Sequence, residues 1–464
     1  MNFALRISFV AIVFILLTIF PENLSRSAMP HRTEIITPSE EAQLYRFLMR
    51  SKVEKLDALM NRYSWFNGNV MVVKDHKIIY QHAQGFANYL TREPLTTESV
   101  FELASVSKQF TAIAILMLYE RNLIDIDDPV HLLMPELPYQ NITIRQLLNH
   151  TSGLPNYMWV LEHKWDEPHF PSNEEMLAAL VKHHPYPFFW AGRRYNYSNT
   201  GYALLASVVE RATGQTFSQF LRENIFAPLD MRNSFTSTEL LDSTFHLTSQ
   251  AFGHHRAWRR FRLNTPVVHD RVLGDKGIFS NLHDLYKWDQ ALYSEKLLSS
   301  ETLELAYQPL TFSNRRSLPY GFGFRIGNRN GEKYVYHHGL WEGFRTSFIR
   351  HIESGNSIIL LNNTNQQVNN QLVRQIQNIL DEPVEYSPTQ IIALKIIQEG
   401  IEAGLDLYAN MLAENKITLP DATELFEFAA LLAQINKPAL ANRVIKFYET
   451  TSLSRDTELP LAKN

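Results

Sequence analysis

Ser105 and Lys108 stand three positions apart, immediately before an apolar run from Phe110 to Leu118. On a helix, that spacing puts both side chains on one face, a turn apart. A serine hydroxyl is a poor nucleophile at neutral pH and needs a base within hydrogen-bond reach. A lysine set among apolar neighbours can be that base, because desolvation disfavours the ammonium form. A helix N-terminus also leaves N–H groups free to meet a developing oxyanion. The pair alone decides little, since about two such matches arise by chance in a chain of this composition.

A second constellation is Tyr195-Asn196-Tyr197-Ser198-Asn199-Thr200-Gly201-Tyr202, at the start of another helical stretch. A tyrosine beside a lysine can act as a phenolate base or relay a proton to a leaving group, and the Asn199 amide can orient substrate and lysine together. The plainer alternative is that Asn199 caps the helix and Tyr197 packs. The third is His337-His338-Gly339, on a strand, followed by Leu340, Gly343 and Phe344. Gly339 lets a substrate lie against the strand edge, and His337 can meet its carboxylate or carbonyl. Adjacent histidines on a strand point to opposite faces, so at least one is structural.

In this order and spacing the three resemble the serine β-lactamase, penicillin-binding-protein and esterase superfamily, in its class C-like branch, where the second motif is Tyr-x-Asn. The resemblance extends to Gln146-Leu147-Leu148-Asn149-His150-Thr151-Ser152-Gly153-Leu154-Pro155 and to Ile225-Phe226-Ala227-Pro228-Leu229-Asp230-Met231, and covers roughly residues 55 to 380. It implies Ser105 as the acylated nucleophile, Lys108 and Tyr197 as acid and base, and Asn199 positioning substrate and Lys108. The backbone N–H groups of Ser105 and Leu340 would form the oxyanion hole. His337 falls where many β-lactamases carry the lysine of Lys-Thr-Gly. A histidine there is similar to the esterase and D-amino-acid peptidase branch, and a neutral imidazole attracts a carboxylate less than a permanent cation does. The implied activity is hydrolysis, through an acyl-enzyme, of an ester, a D-amino-acid peptide or amide, or a β-lactam, with β-lactamase activity the weaker. Neither a cofactor nor a metal is expected. The non-enzymatic alternative is a peptidoglycan-binding sensor or scaffold that retains the fold and turns over poorly; intact Ser105, Lys108, Tyr197 and Asn199 argue against it.

The elements that must position these residues follow from periodicity. Pro38 to about Met60 is helix-like, with Leu44, Phe47, Leu48, Val53, Leu56 and Leu59 on one side. Asn69 to Val73 and Lys77 to His82 form a strand hairpin, and Tyr334 to Tyr336, Thr346 to Arg350 and Ser357 to Leu361 are further strands. The run from Phe110 to Leu118 is apolar on nearly every face, which suits a buried core helix. A helix after Asn199 should end at Gly214. Strands at both ends with helices between predict an α/β (α+β) domain with a central antiparallel sheet flanked by helices, its first hairpin joining its last strands. From Ser387 the chain turns almost purely helical. Asp421 and Glu424 open a helix with Leu425, Phe428 and Leu432 on its apolar face, and Asn436 and Pro438 break it before Leu440, Val444 and Phe447, which reads as one helical hairpin. The organisation expected is a signal peptide at 1–28, a helical lead-in at 29–54, the hydrolase domain at 55–385 and a helical extension at 386–464.

Arg6 followed by the apolar run Ile7 to Phe20, Pro21 and the small residues Ser25, Ser27 and Ala28 reads as a secretory signal. The run falls short of the roughly 20 residues a spanning helix needs, so cleavage is favoured over an uncleaved anchor, and the protein is expected to be periplasmic or secreted. The chain has no cysteine, which removes lipoprotein anchoring and thiol nucleophiles. With 44 Lys and Arg against 48 Asp and Glu, it has no general attraction to nucleic acid or anionic lipid. The patch Arg256, Trp258, Arg259, Arg260 and Arg262 is better read as a solvated edge or an anionic-substrate rim than as a nucleic-acid site. The 17 histidines include adjacent pairs at 183–184, 254–255 and 337–338. Adjacent histidines seldom chelate one ion and His-Glu-x-x-His is absent, so a zinc hydrolase is not the favoured class. The expected partner is a small-molecule or peptidoglycan-derived substrate.

Overall fold

The valine-rich segment Gly68–Lys74 forms β1, buried along almost its whole length, and pairs on one side with β2 (Lys77–Gln84). Four more strands, β3 (Arg325–Arg329), β4 (Glu332–Trp341), β5 (Phe344–His351) and β6 (Ser357–Asn362), complete an antiparallel sheet in the order β3-β4-β5-β6-β1-β2. The first hairpin therefore joins the last strand, with Gly68 opposite Asn362 and Val72 opposite Ile358. Every residue of β6 is buried, so this part of the sheet is covered on both faces. The structure, a computed structural model, describes residues 38–241, 249–257, 260–312, 314–413, 422–435 and 437–456. They fall into two compact units, Leu56–Asp381 and the described residues up to Lys55 together with those from Glu382.

In the larger unit, α1 (Ser107–Glu120) is buried from Ser107 to Leu118, as its all-round apolar character requires. It packs on α2 (Asn199–Thr213), which ends at Gly214 with φ 71°, a left-handed turn where glycine carries no Cβ penalty. The helix α3 (Leu282–Ala291) lies against β1 and β6, and α4 (Asn369–Asp381) against β5 and β6. A buried ion pair ties α3 to the sheet: Arg350 donates to the Asp289 carboxylate at 2.6 Å and to the Tyr307 hydroxyl at 2.8 Å. Arg256, Arg260 and Arg262 sit on a short hairpin, His254–Ala257 with Arg260–Leu263; Trp258 and Arg259 lie outside the described residues.

The helical lead-in breaks at Met49 into Pro38–Leu48 and Arg50–Arg62, where periodicity read one helix. In the smaller unit Phe47 stacks on Phe428 at 5.4 Å, and Gln390 donates to the Phe47 carbonyl at 2.8 Å. The C-terminal region holds two helical hairpins, not one: Pro388–Glu399 with Ile401–Ala413, and Ala422–Gln434 with Pro438–Asp456. The first turns on a single residue, Gly400 at φ 93°, too brief a break to stand out in an apolar pattern. Leu425, Phe428, Leu432 and Val444 are buried as expected, whereas Asp421, Asn436 and the signal segment at 1–28 lie outside the described residues. Among the described residues no helix is long and apolar enough to cross a membrane.

Candidate active site

Ser105 is presented by a sharp turn between a strand and a helix. The two-residue strand Phe101–Glu102 pairs with Ile278–Ser280, Ala104 takes φ 51°, and a 3₁₀ turn over Ala104–Val106 feeds α1. A left-handed alanine is strained, and the surrounding contacts hold it. Thr346 on β5 donates to the Leu103 carbonyl at 2.6 Å, and a Cβ on Gly339 would stand 2.4 Å from that same oxygen. Gly339 is thus needed for the approach of β4 to the serine turn, a reason that the expectation of a substrate resting on it did not include.

Ser105 precedes the α-helix proper, yet Lys108 still reaches it. The Lys108 ammonium nitrogen lies 3.2 Å from Ser105 Oγ, 2.9 Å from Asn199 Oδ1 and 2.7 Å from the Asp275 carbonyl. All three are neutral acceptors. The side chain is wholly buried, and burial brings its pKa down to about 7, with the Asp275 carboxylate opposing the drop and Arg325 adding to it. Ser198, not Asn199, caps α2, accepting from the Gly201 N–H at 3.1 Å. That leaves the Asn199 carboxamide free to hold the lysine. The Tyr197 ring lies 4.9 Å from Lys108 Nζ, and its hydroxyl is buried beside that of Ser105. Burial pushes that phenol well above its usual pKa, with the Ser105 hydroxyl and Arg325 opposing, so it stays protonated.

His337 sits in a buried chain of hydrogen bonds. The Ser198 N–H donates to His150 Nδ1 at 3.1 Å, so His150 Nε2 must carry the proton it shares with the Tyr320 oxygen at 2.8 Å. Tyr320 then donates to His337 Nε2 at 3.3 Å, and His337 Nδ1 donates to the His338 carbonyl at 2.8 Å. Burial first, then the Lys108 and Arg325 cations, hold both imidazoles well below their usual pKa. Both ring nitrogens of His337 are engaged within the protein and the ring is neutral. Its place behind Tyr197, at 6.0 Å between rings, makes it a support for that tyrosine.

The cation at this wall is Arg325, which sequence reasoning missed. Its guanidinium lies 5.7 Å from the Tyr197 ring and 5.7 Å from the Tyr320 ring. The signal was the run Tyr320-Gly321-Phe322-Gly323-Phe324-Arg325. A Cβ on Gly323, at φ 76°, would meet the Lys108 carbonyl at 2.6 Å, the kind of close backbone approach that a glycine inside an aromatic strand marks. β3 pairs with β4 only as far as Tyr336, so from His337 to Trp341 no strand among the described residues covers the outer edge, and Leu340 is 57% exposed there.

A family model described as Beta-lactamase matches residues 53–380. The chain belongs to the beta-lactamase family. The family is one of serine hydrolases, and its relatives share this chain's extent to different degrees. Penicillin-binding protein 4* of Bacillus subtilis is 34% identical over 324 residues, spanning 68% of this chain and 72% of its own. The D-aminopeptidase of Brucella anthropi is 31% identical over 286 residues, which is 61% of this chain and only 53% of that enzyme. The crystal structure of a penicillin binding protein from Bacillus halodurans superposes with a TM-score of 0.62 at 25% identity, covering 70% of this chain and 98% of that one. Ser105, Lys108, Tyr197, Asn199, Gly339 and Leu340 all lie within this beta-lactamase stretch.

Proposed function

We propose that the protein hydrolyses D-amino-acid amides, peptides or esters through an acyl-enzyme on Ser105. The observation that carries the reading is the buried Lys108 amine on the Ser105 hydroxyl, with a pKa of about 7. A lysine in this setting supplies a substantial neutral fraction at physiological pH. As Ser105 Oγ attacks the carbonyl carbon, Lys108 takes its proton and the carbonyl π pair moves to oxygen, facing the N–H groups of Ser105 and Leu340. Collapse of the intermediate breaks the bond to the leaving group, which takes the proton from Lys108, directly or through the Tyr197 hydroxyl. Water then attacks the acyl-enzyme with Lys108 again the base, and the acid and free Ser105 are released. Asn199 keeps Lys108 aimed at Ser105. Arg325 is the cation available for a substrate carboxylate.

The D-configuration is supported by the D-aminopeptidase relative and fits a small-molecule or peptidoglycan-derived substrate met outside the cytoplasm. The low Lys108 pKa argues against a mere scaffold, because strongly perturbed titratable groups cluster at functional sites. A fluorophosphonate should label the protein at Ser105, and purified enzyme should turn over D-alanyl amides or peptides and nitrophenyl esters faster than a chromogenic cephalosporin. Label on Ser107 or Ser198, or equal turnover of L- and D-alanyl amides, would overturn the respective part of the reading.

A further inference from the structure

We infer that the cleft lined by Arg193, Arg194, Arg316 and Tyr195 is an anion subsite that holds a carboxylate- or phosphate-bearing part of the substrate, remote from the bond that is cut. The word substrate here rests on the Ser105 reading; the anion site itself does not.

The cleft has a volume of about 530 Å³. It lies between the turn at Ala191–Tyr195 and the short hairpin Leu310–Thr311 with Ser317–Leu318, whose connecting residues include Arg316. None of the three arginines has a carboxylate partner among the described residues. Other arginines of the same unit have one: Arg145 grips Asp127 at 2.6 and 2.8 Å, Arg211 reaches Glu136 and Glu174, and Arg350 holds Asp289. In a chain of net charge −4, three uncompensated guanidiniums around one cleft are a local excess of positive potential. Arg194 is held in place from behind, with its guanidinium 4.8 Å from the Phe189 ring. Tyr195 also lines the cleft, while its hydroxyl oxygen is buried within the protein. Guanidinium forks match the paired oxygens of carboxylates and phosphates.

The cleft adjoins the catalytic residues through a wall of aromatic rings. Tyr195 lies 5.8 Å from His150, whose ring is 4.3 Å from that of Tyr197. A substrate reaching Ser105 past Tyr197 therefore has a cationic cleft within the length of a short peptide or phosphodiester chain.

The test is calorimetric titration of the full chain at low salt with two probes, tripolyphosphate for phosphate chemistry and tricarballylate for carboxylate chemistry. At least one should bind, with affinity falling as salt rises, and Arg193→Glu with Arg316→Glu should weaken it by at least about tenfold. Whichever probe binds tighter identifies the source of the oxyanion. In parallel, kcat/KM is compared for two esters of one acyl group, one neutral and one carrying a remote anion. The charged-to-neutral ratio should fall by at least about tenfold in the double variant. Equal anion binding by wild type and variant, or an unchanged ratio, would sink the subsite. Anion binding that disappears in the variant while the wild type hydrolyses neither ester would instead sink the Ser105 reading and leave the subsite standing.

Discussion

Arg350 and Lys108, two buried cations of the larger unit, are treated oppositely. Arg350 has the Asp289 carboxylate, the Tyr307 hydroxyl and the Asp289 carbonyl as acceptors. Burial works against its charge, but Tyr307, Asp289 and Tyr293 more than offset this, and its pKa lies above the usual value. Lys108 is equally hidden but touches only neutral acceptors, so burial wins and its pKa sits near 7. Burial thus does not decide whether a group is structural or reactive; the charge of its partners does. One site is locked for stability, and the other is kept poised for proton transfer.

The strongest way to break this contrast is to remove each cation. Lys108→Met should lower turnover of any accepted ester by at least about a thousandfold, as should Ser105→Ala, with the fold retained by circular dichroism. It should not lower stability at neutral pH. Between its folded pKa of about 7 and the ordinary lysine value of 10.5, the unfolded lysine holds a proton that the folded one lacks. Its contribution to stability therefore rises with pH across that window and is unfavourable at neutral pH. Urea unfolding at several pH values between 7 and 9 should show a shallower rise for Lys108→Met than for wild type. A variant that is as active as wild type, or unfolded, would erase the distinction.

Arg350→Met should do the reverse. It strands the Asp289 carboxylate, which also accepts from Ser357 at 3.1 Å, in the core between α3 and the sheet. Leaving one partner of a buried pair costs about 3–5 kcal/mol, measurable by denaturant titration, while the folded fraction should retain the wild-type rate per active site.

Much of this contrast was legible in the chain, because it depends on spacing within single elements. Three residues from Ser105 to Lys108 suffice to join them although Ser105 lies on a 3₁₀ turn, since one helical turn and one 3₁₀ turn bring side chains to nearly the same face. Strands β1 and β6 are buried enough to show as apolar runs. β3 escaped notice as a half-exposed edge strand interrupted by Gly327 and Asn328, a pattern that reads as turn. The state of His337 was illegible for a different reason: its tautomer is dictated by Tyr320, 17 residues away, and by His150, a further 170 positions from Tyr320. Hydrogen-bond polarity is a tertiary property, and residue type alone does not give it.

The finest test asks whether the neighbours of Lys108 tune it in the directions their charges dictate. With a neutral ester, so that no substrate carboxylate intervenes, kcat/KM should rise with pH as Lys108 loses its proton, with a midpoint near 7. The Asp275 carboxylate favours the ammonium, and Arg325 disfavours it. Asp275→Asn should therefore move the rising limb to lower pH, and Arg325→Gln should move it to higher pH, each by less than the shift that burial itself produces. Tyr157 donates to Asp275 at 3.2 Å, a bond that the asparagine oxygen can still accept, so the lysine's surroundings keep their shape. Opposite displacements in the two variants require a titrating group that feels both charges, and Lys108, bonded to the Asp275 backbone and facing Arg325, is placed to feel both. A limb that moves the same way in both variants, or in neither, would mean that the group limiting turnover is not this lysine.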